Sequence, residues 1–169
     1  MTDYSSVYHV PMPITTLLFD LAHVLLFPRD KTYTEKLSAL HKAVKHAPTY
    51  YFPNFFEFNE ELLKFLEREC KNKVRLAIFT TGTIHQAPEV AARFLPLFSH
   101  IYSSAETGLS KKDLASYLYI AKDLRKTPSE MFFTDDTQEN IGAAQAAGFH
   151  AVRYESNAQI MQEIESLNS

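Results

Sequence analysis

Two short apolar runs that each end in a carboxylate constrain this chain most. Phe132-Phe133-Thr134 ends in Asp135-Asp136, and Thr16-Leu17-Leu18-Phe19 ends in Asp20. Runs of this kind read as buried strands. A helix-like stretch from Ile141 to Ala147 follows the first of them and closes at Gly148. Adjacent aspartates at the mouth of a buried strand repel each other. Each favours protonation of the other unless a cation sits between them. If the two strands are parallel neighbours, Asp20, Asp135 and Asp136 meet at one sheet edge. Oxygen ligands so grouped suit a hard cation, and Mg²⁺ fits them.

The rest of the chain alternates in period. Strands are predicted over residues 15–19, 74–79, 100–102, 131–134 and 151–154. Helices are predicted over 31–46, 60–69, 88–94, 111–124, 137–147 and 158–167, with Asn59 and Ser110 as caps. This alternation implies an α/β fold, a Rossmann-like parallel sheet sandwiched between helices. Numbering the predicted strands along the chain, the order is 5-4-1-2-3, with the first strand central. Ligands of such sheets bind at the carboxyl ends of the strands, beside the point where the order reverses. Asp20, Thr80 and the Asp135-Asp136 pair all fall there. Leu21 to Phe27 reads as loop, because Pro28 follows. Residues 28–58 break the alternation and read as a small helical cap insertion. The reading is one domain over 1–169, with core 14–27 and 59–169. Residues 1–13 read as an arm without regular structure. The aromatic run of Tyr50, Tyr51, Phe52, Phe55, Phe56 and Phe58 reads as packing, or as a source of substrate contacts.

Composition removes several functional classes. A net charge of -3 points away from nucleic acid and from anionic membrane surfaces. The single cysteine, Cys70, excludes an intrachain disulfide and a cysteine zinc site, and reads as a small core residue. The N-terminus lacks the apolar core of a signal peptide. The most apolar run, Leu17 to Phe27, is interrupted by Asp20 and His23 and is too short to span a bilayer. A cytoplasmic protein is expected.

Four stretches in order resemble the motifs of the haloacid dehalogenase-like (HAD) hydrolase superfamily. They are Leu17-Leu18-Phe19-Asp20-Leu21-Ala22, then Ala77-Ile78-Phe79-Thr80-Thr81-Gly82, then Lys111 after Gly108, and finally Phe132 to Asp136 with Asn140 and Gly148. The resemblance implies phosphoryl transfer through an aspartyl-phosphate, with Asp20 as nucleophile. It implies that Asp20, Asp136 and the main-chain carbonyl of Ala22 hold Mg²⁺, with Asp135 holding a metal-bound water or the loop. Thr80, the N–H of Thr81 and Gly82 would cradle the phosphoryl group. Lys111, with Lys112 as its rival, would pair with Asp20 and the phosphate. A small phosphorylated metabolite is the implied substrate.

One position departs from the family pattern. Phosphatases of this superfamily carry Asp two residues after the nucleophile, as general acid and base; here that residue is Ala22. General acid–base groups contribute about 10²–10⁴-fold in rate. A substrate with a good leaving group, a proton from His23 or from the insertion, or phosphate binding with little turnover would each accommodate the change. A dehalogenase would use Asp20 without metal, which the Asp135-Asp136 pair opposes. A phosphonatase-type hydrolase would need a Schiff-base lysine from the insertion, which supplies Lys31, Lys36, Lys42 and Lys45.

Overall fold

The structure is a computed structural model and describes residues 13–167. Apart from Pro13, the arm expected at the N-terminus lies outside the described residues. The chain runs β1 (Thr16–Phe19), β2 (Leu26–Pro28), α1 (Leu37–Val44), β3 (Phe56–Phe58), α2 (Glu60–Phe65), β4 (Arg75–Thr80) and α3 (Pro88–Phe94). It continues through β5 (His100–Ser103), α4 (Ser104–Thr107), α5 (Leu114–Asp123), β6 (Met131–Asp135), α6 (Gln138–Ala146), β7 (His150–Arg153) and α7 (Asn157–Leu167).

β5, β4, β1, β6 and β7 lie side by side in that order, every pair parallel. This is the order expected from the sequence, with β1 at the centre. Leu18 stands opposite Ala77 on one neighbour and Phe133 on the other. The pleat sends alternate side chains to opposite faces. Leu17, Phe19, Ile78 and Phe132 join a core that includes Leu62, Leu63, Phe94, Phe98 and Ile160. Leu18, Ala77, Phe79 and Phe133 join a second core with Tyr117, Ile120, Ile141 and Phe149. Helices on both faces therefore bury β1 completely, which is why its sequence is a continuous apolar run. Fully burying side chains of this size stabilises the fold by about 1.5–3 kcal/mol each. Cys70 is buried in the first core, and burial pushes its thiol up to about 11. Among the described residues no helix is long and apolar enough to cross a membrane.

Three local expectations need correction. Residues 21–27 are not all loop: Leu26–Pro28 forms β2, antiparallel to β3. Proline is tolerated there because a two-stranded ribbon has only edge strands. The helix expected over 31–46 begins only at Leu37. Before it, the Asp30 carboxylate accepts hydrogen bonds from the N–H and hydroxyl of Thr32 at 2.9 and 2.7 Å. This local bonding competes with the helix. The helix expected from Lys111 begins at Leu114. Ser110 makes a turn instead of a cap, its Oγ accepting from the Lys112 N–H at 3.2 Å. Asn59 does cap α2, accepting from the Leu62 N–H at 3.3 Å, and α2 ends in a wider turn over Leu66–Cys70.

The aromatic run around Pro53 packs inward only in part: Phe52 and Phe56 are buried, whereas Tyr51 is 62% exposed. Phe52 stacks on Phe56 at 4.9 Å and on Phe58 at 5.4 Å, and His41 of α1 meets Phe56 edge-on at 6.1 Å. These ring contacts tie α1 to the β2–β3 ribbon, and Phe58 meets Phe94 of α3 edge-on at 5.6 Å. None of these aromatic side chains borders the cavity described below.

The start of β6 is fixed by Glu130. Its carboxylate accepts from the Thr127 N–H at 2.9 Å, from the Thr127 hydroxyl at 3.0 Å and from the Thr15 hydroxyl at 3.1 Å. The Thr127 N–H foremost, with these hydroxyls, holds the carboxyl down to about 2. A carboxylate depressed in the folded state stabilises it above its unfolded pKa, and that stability is lost as pH falls through the folded value. Glu130→Gln is expected to cost roughly 1–2 kcal/mol at pH 7. Urea unfolding of both proteins at pH 7 and near pH 2 checks this. The gap should close at the acid end, and an undiminished gap there refutes the ionic origin.

Candidate active site

β1, β4 and β6 deliver their last residues to one edge of the sheet. The strand order reverses between β1 and β6, and the crevice opens beside that boundary. A cavity of about 200 Å³ lies there. Its walls include Asp20, Ala22, Thr80, Thr81, Lys111 and Asp136. Gly82, His23 and Asn140 also border it. Residues 34–38 also line it.

Asp20, Asp135 and Asp136 offer oxygens that lie within 4.8 Å of one another. Asp20 is 7% exposed and its Oδ1 accepts the Leu21 N–H at 2.7 Å. Lys111 is 4% exposed and donates to both Asp20 and Asp135, the latter at 2.9 Å. Asp135 is completely buried and fully engaged. It accepts also from the Thr137 N–H at 2.8 Å and from the Asn140 amide at 3.0 Å. Asp136 is half-buried and its carboxylate reaches the cavity wall.

The charges do not balance. Three carboxylates are grouped with one lysine, and two of the three, Asp20 and Asp135, are buried. Burial raises the Asp20 carboxyl to about 7; Lys111 opposes this, and Asp135 and Asp136 add to it. Burial, then Asp135, also raises Asp136, while His23 pulls it down. Burial disfavours charge on Lys111, yet the Asp20 and Asp135 carboxylates outweigh it and raise its pKa. A divalent cation among the three oxygens would relieve this repulsion, so the donor set fits the Mg²⁺ expected from the sequence.

Lys111, not Lys112, is the lysine of the site. Lys112 is exposed and pairs with Glu139 at 3.0 Å. The turn ahead of α5 aims Lys111 inward, where its ammonium lies 5.6 Å from the centre of the Phe79 ring. Tyr117 secures that turn: its hydroxyl donates to the Lys111 carbonyl at 2.7 Å and to the Asn140 carbonyl at 3.2 Å. Sequence reading missed Tyr117, which shows only as one more core position of a helix. The loop after β4 is pinned from behind. The Ser103 hydroxyl donates to the Gly82 carbonyl at 2.8 Å, and the Ala105 N–H donates to the Thr81 carbonyl at 3.2 Å. Adding a Cβ at Gly82 would place it 2.8 Å from the Ser38 hydroxyl and 3.0 Å from the Ser38 Cβ. Only glycine lets α1 approach this loop so closely.

Ala22, which lines the cavity, has a methyl group where the family pattern has a carboxylate. His23 follows with φ at +60°, a left-handed conformation uncommon outside glycine, fixed by its N–H donating to the Leu26 carbonyl at 2.8 Å. Of the insertion lysines, Lys36 borders the cavity, whereas Lys31 is drawn off by Glu57.

Comparison with known proteins now decides the family. A family model described as haloacid dehalogenase-like hydrolase matches residues 52–148. The chain belongs to the haloacid dehalogenase-like hydrolases. The sesquiterpene phosphatase AstK of Aspergillus oryzae is 34% identical over 71 residues, 42% of this chain and 36% of that protein. Enolase-phosphatase E1 of Thioalkalivibrio sulfidiphilus is 30% identical over 94 residues, 53% of this chain and 41% of that protein. The chain thus matches well under half the length of these relatives. Among solved structures, a HAD-superfamily hydrolase from Ehrlichia chaffeensis superposes with a TM-score of 0.64 at 18% identity, covering 93% of this chain and 98% of that one. A HAD family enzyme from Bacteroides thetaiotaomicron, solved with magnesium and inorganic phosphate, superposes at 0.58 and 17% identity, covering 84% of this chain and 94% of that one. These structures share the fold of this HAD hydrolase.

Proposed function

We propose that this HAD hydrolase is a Mg²⁺-dependent phosphatase of a small phosphorylated metabolite. The observation that carries the reading is the buried Asp20–Lys111–Asp135 ion-pair chain at the switch point, with Asp136 beside it. Asp20 is the nucleophile. Its carboxylate attacks phosphorus, and the leaving oxygen departs with the bonding pair. Water then attacks the aspartyl-phosphate, releasing inorganic phosphate and restoring the carboxylate. Thr80 and the Thr81 N–H donate hydrogen bonds to the phosphoryl oxygens, and Gly82 lines the cavity beside them. Lys111 neutralises charge on the transferring group while Asp135 holds the lysine in place. Asp20, Asp136 and the Ala22 carbonyl would hold Mg²⁺, with Asp135 behind them. When bound, the ion supplies further positive charge to the phosphoryl oxygens.

The test is hydrolysis of an aryl phosphate with Mg²⁺ and with a chelator. Turnover should require Mg²⁺; equal rates in the chelator would overturn the reading. Thermal melting gives a check independent of activity. Free of metal, folded Asp20 keeps its proton up to about 7, whereas the unfolded chain loses it near 3.8. Between those values the folded state binds more protons, so this group's contribution to stability falls as pH rises. Mg²⁺ should therefore raise Tm more at pH 8 than at pH 5, where it competes with the proton. A pH-independent rise argues for binding elsewhere.

Ala22 favours a second reading, a phosphate-binding regulatory protein with little turnover. Binding of inorganic phosphate with Mg²⁺, without hydrolysis of any ester, would identify it. Phosphonate hydrolysis through a Schiff base on Lys36 is tested in the same samples by borohydride trapping.

A further inference from the structure

A second, wider cavity of about 370 Å³ adjoins the phosphoryl cavity. The two share Lys36, Ser38, Thr81, Gly82 and Ile84 as walls. Beyond the shared wall, the outer cavity is bordered by His41, Lys42 and Lys45 of the α1 segment, and no carboxylate borders it. Among the described residues, Lys36, Lys42 and Lys45 have no carboxylate within ion-pair distance. Glu106, next to the groove wall at Ala105, is engaged by His85 at 3.3 Å and by Gln86. His41 sits below the usual imidazole range because of burial and then the Lys45 charge, although Glu89 pulls the other way.

A lysine-rich helix face is ordinarily just a solvated surface. Here the lysines line a concavity, in a chain whose net charge is -3. A cleft lined by one sign of charge focuses its field and concentrates the opposite ion. Interactions with the non-reacting part of a substrate also supply energy for orienting the reacting part. Ala22 points the same way, since a leaving group held by lysines needs less help from a proton donor.

We propose that this groove holds a second anionic group of the substrate, a phosphate or carboxylate carried on the leaving group. The substrate is then a polyanionic phosphate ester, not a simple alkyl or aryl monophosphate. This rests on the phosphatase reading for the placement of the first phosphate in the inner cavity.

The experiment uses ligands that cannot be hydrolysed, so it is independent of turnover. Calorimetry in Mg²⁺ compares alkane bisphosphonates of increasing linker length with alkyl monophosphonates of equal length. Phosphonocarboxylates form a third arm and decide between a phosphate and a carboxylate as the second group. The best bisphosphonate or phosphonocarboxylate should bind about tenfold tighter than its monophosphonate, an advantage that fades in high salt. In the double variant Lys42→Gln/Lys45→Gln, whose altered side chains are exposed, the advantage should shrink to about twofold or less. Equal binding of ligands with one and with two anionic groups, an advantage that survives the double variant, or no binding of any ligand overturns the proposal. A protein that shows the lysine-dependent advantage yet hydrolyses no phosphate ester keeps the groove and loses the phosphatase reading.

Discussion

Asp20→Asn should reduce phosphate hydrolysis below detection and, without metal, leave the protein at least as stable as wild type. The two halves of this expectation come from one arrangement. The amide cannot form the phosphoryl-enzyme, so no alternative group restores turnover. The same substitution removes one of three mutually repelling carboxylates from a buried site. Functional sites commonly hold such unfavourable groupings, and removing them stabilises. Lys111→Met should act oppositely on stability. It leaves Asp20 and Asp135 buried without their shared cation, and breaking a buried pair in this way costs about 3–5 kcal/mol. Denaturant unfolding of both variants in chelator separates the cases. If Asp20→Asn unfolds as readily as Lys111→Met, the carboxylates are not in conflict and the cation site is misread.

Ala22→Asp should raise the rate on alkyl phosphates by up to about 10²–10⁴-fold, with a smaller gain on aryl phosphates. An alkoxide needs a proton in the transition state; an aryl oxide leaves more readily. Ala22 lines the cavity beside Asp20 and Asp136. Affinity for inorganic phosphate should change little, since the proposed metal ligand at this position is main chain. If wild type already hydrolyses alkyl phosphates well and the substitution adds nothing, another group is the acid. His23→Ala, and Glu35→Gln, both at residues that line the cavity, then identify it.

What could be read from the sequence followed the range of the forces involved. The five core strands were legible because burial on both faces writes itself as short apolar runs. Their carboxyl-end aspartates were legible because a charge beside such a run is conspicuous. The β2–β3 ribbon was not, since its strands are three residues long and lie nearly thirty residues apart. Motif spacing chose Lys111 over Lys112, yet helical periodicity misplaced it on α5. Its inward aim depends on Ser110, Ser116 and Tyr117, partners that no local pattern announces. The groove bordered by Lys36, Lys42 and Lys45 was not legible either, because a sequence records charge and not concavity.

The contact between Gly82 and Ser38 bears on any attempt to retarget this protein by exchanging residues 28–58. Transplanting residues 28–58 from a relative looks modular, since the segment enters and leaves through the two strands of one ribbon. The donor segment must nevertheless bring a small side chain to position 38, because the acceptor loop has no room to yield: its carbonyls are already tied down behind it. A graft with leucine or phenylalanine there would lift the helix and open both cavities together, so a failed chimera would look like lost catalysis although every motif residue was retained.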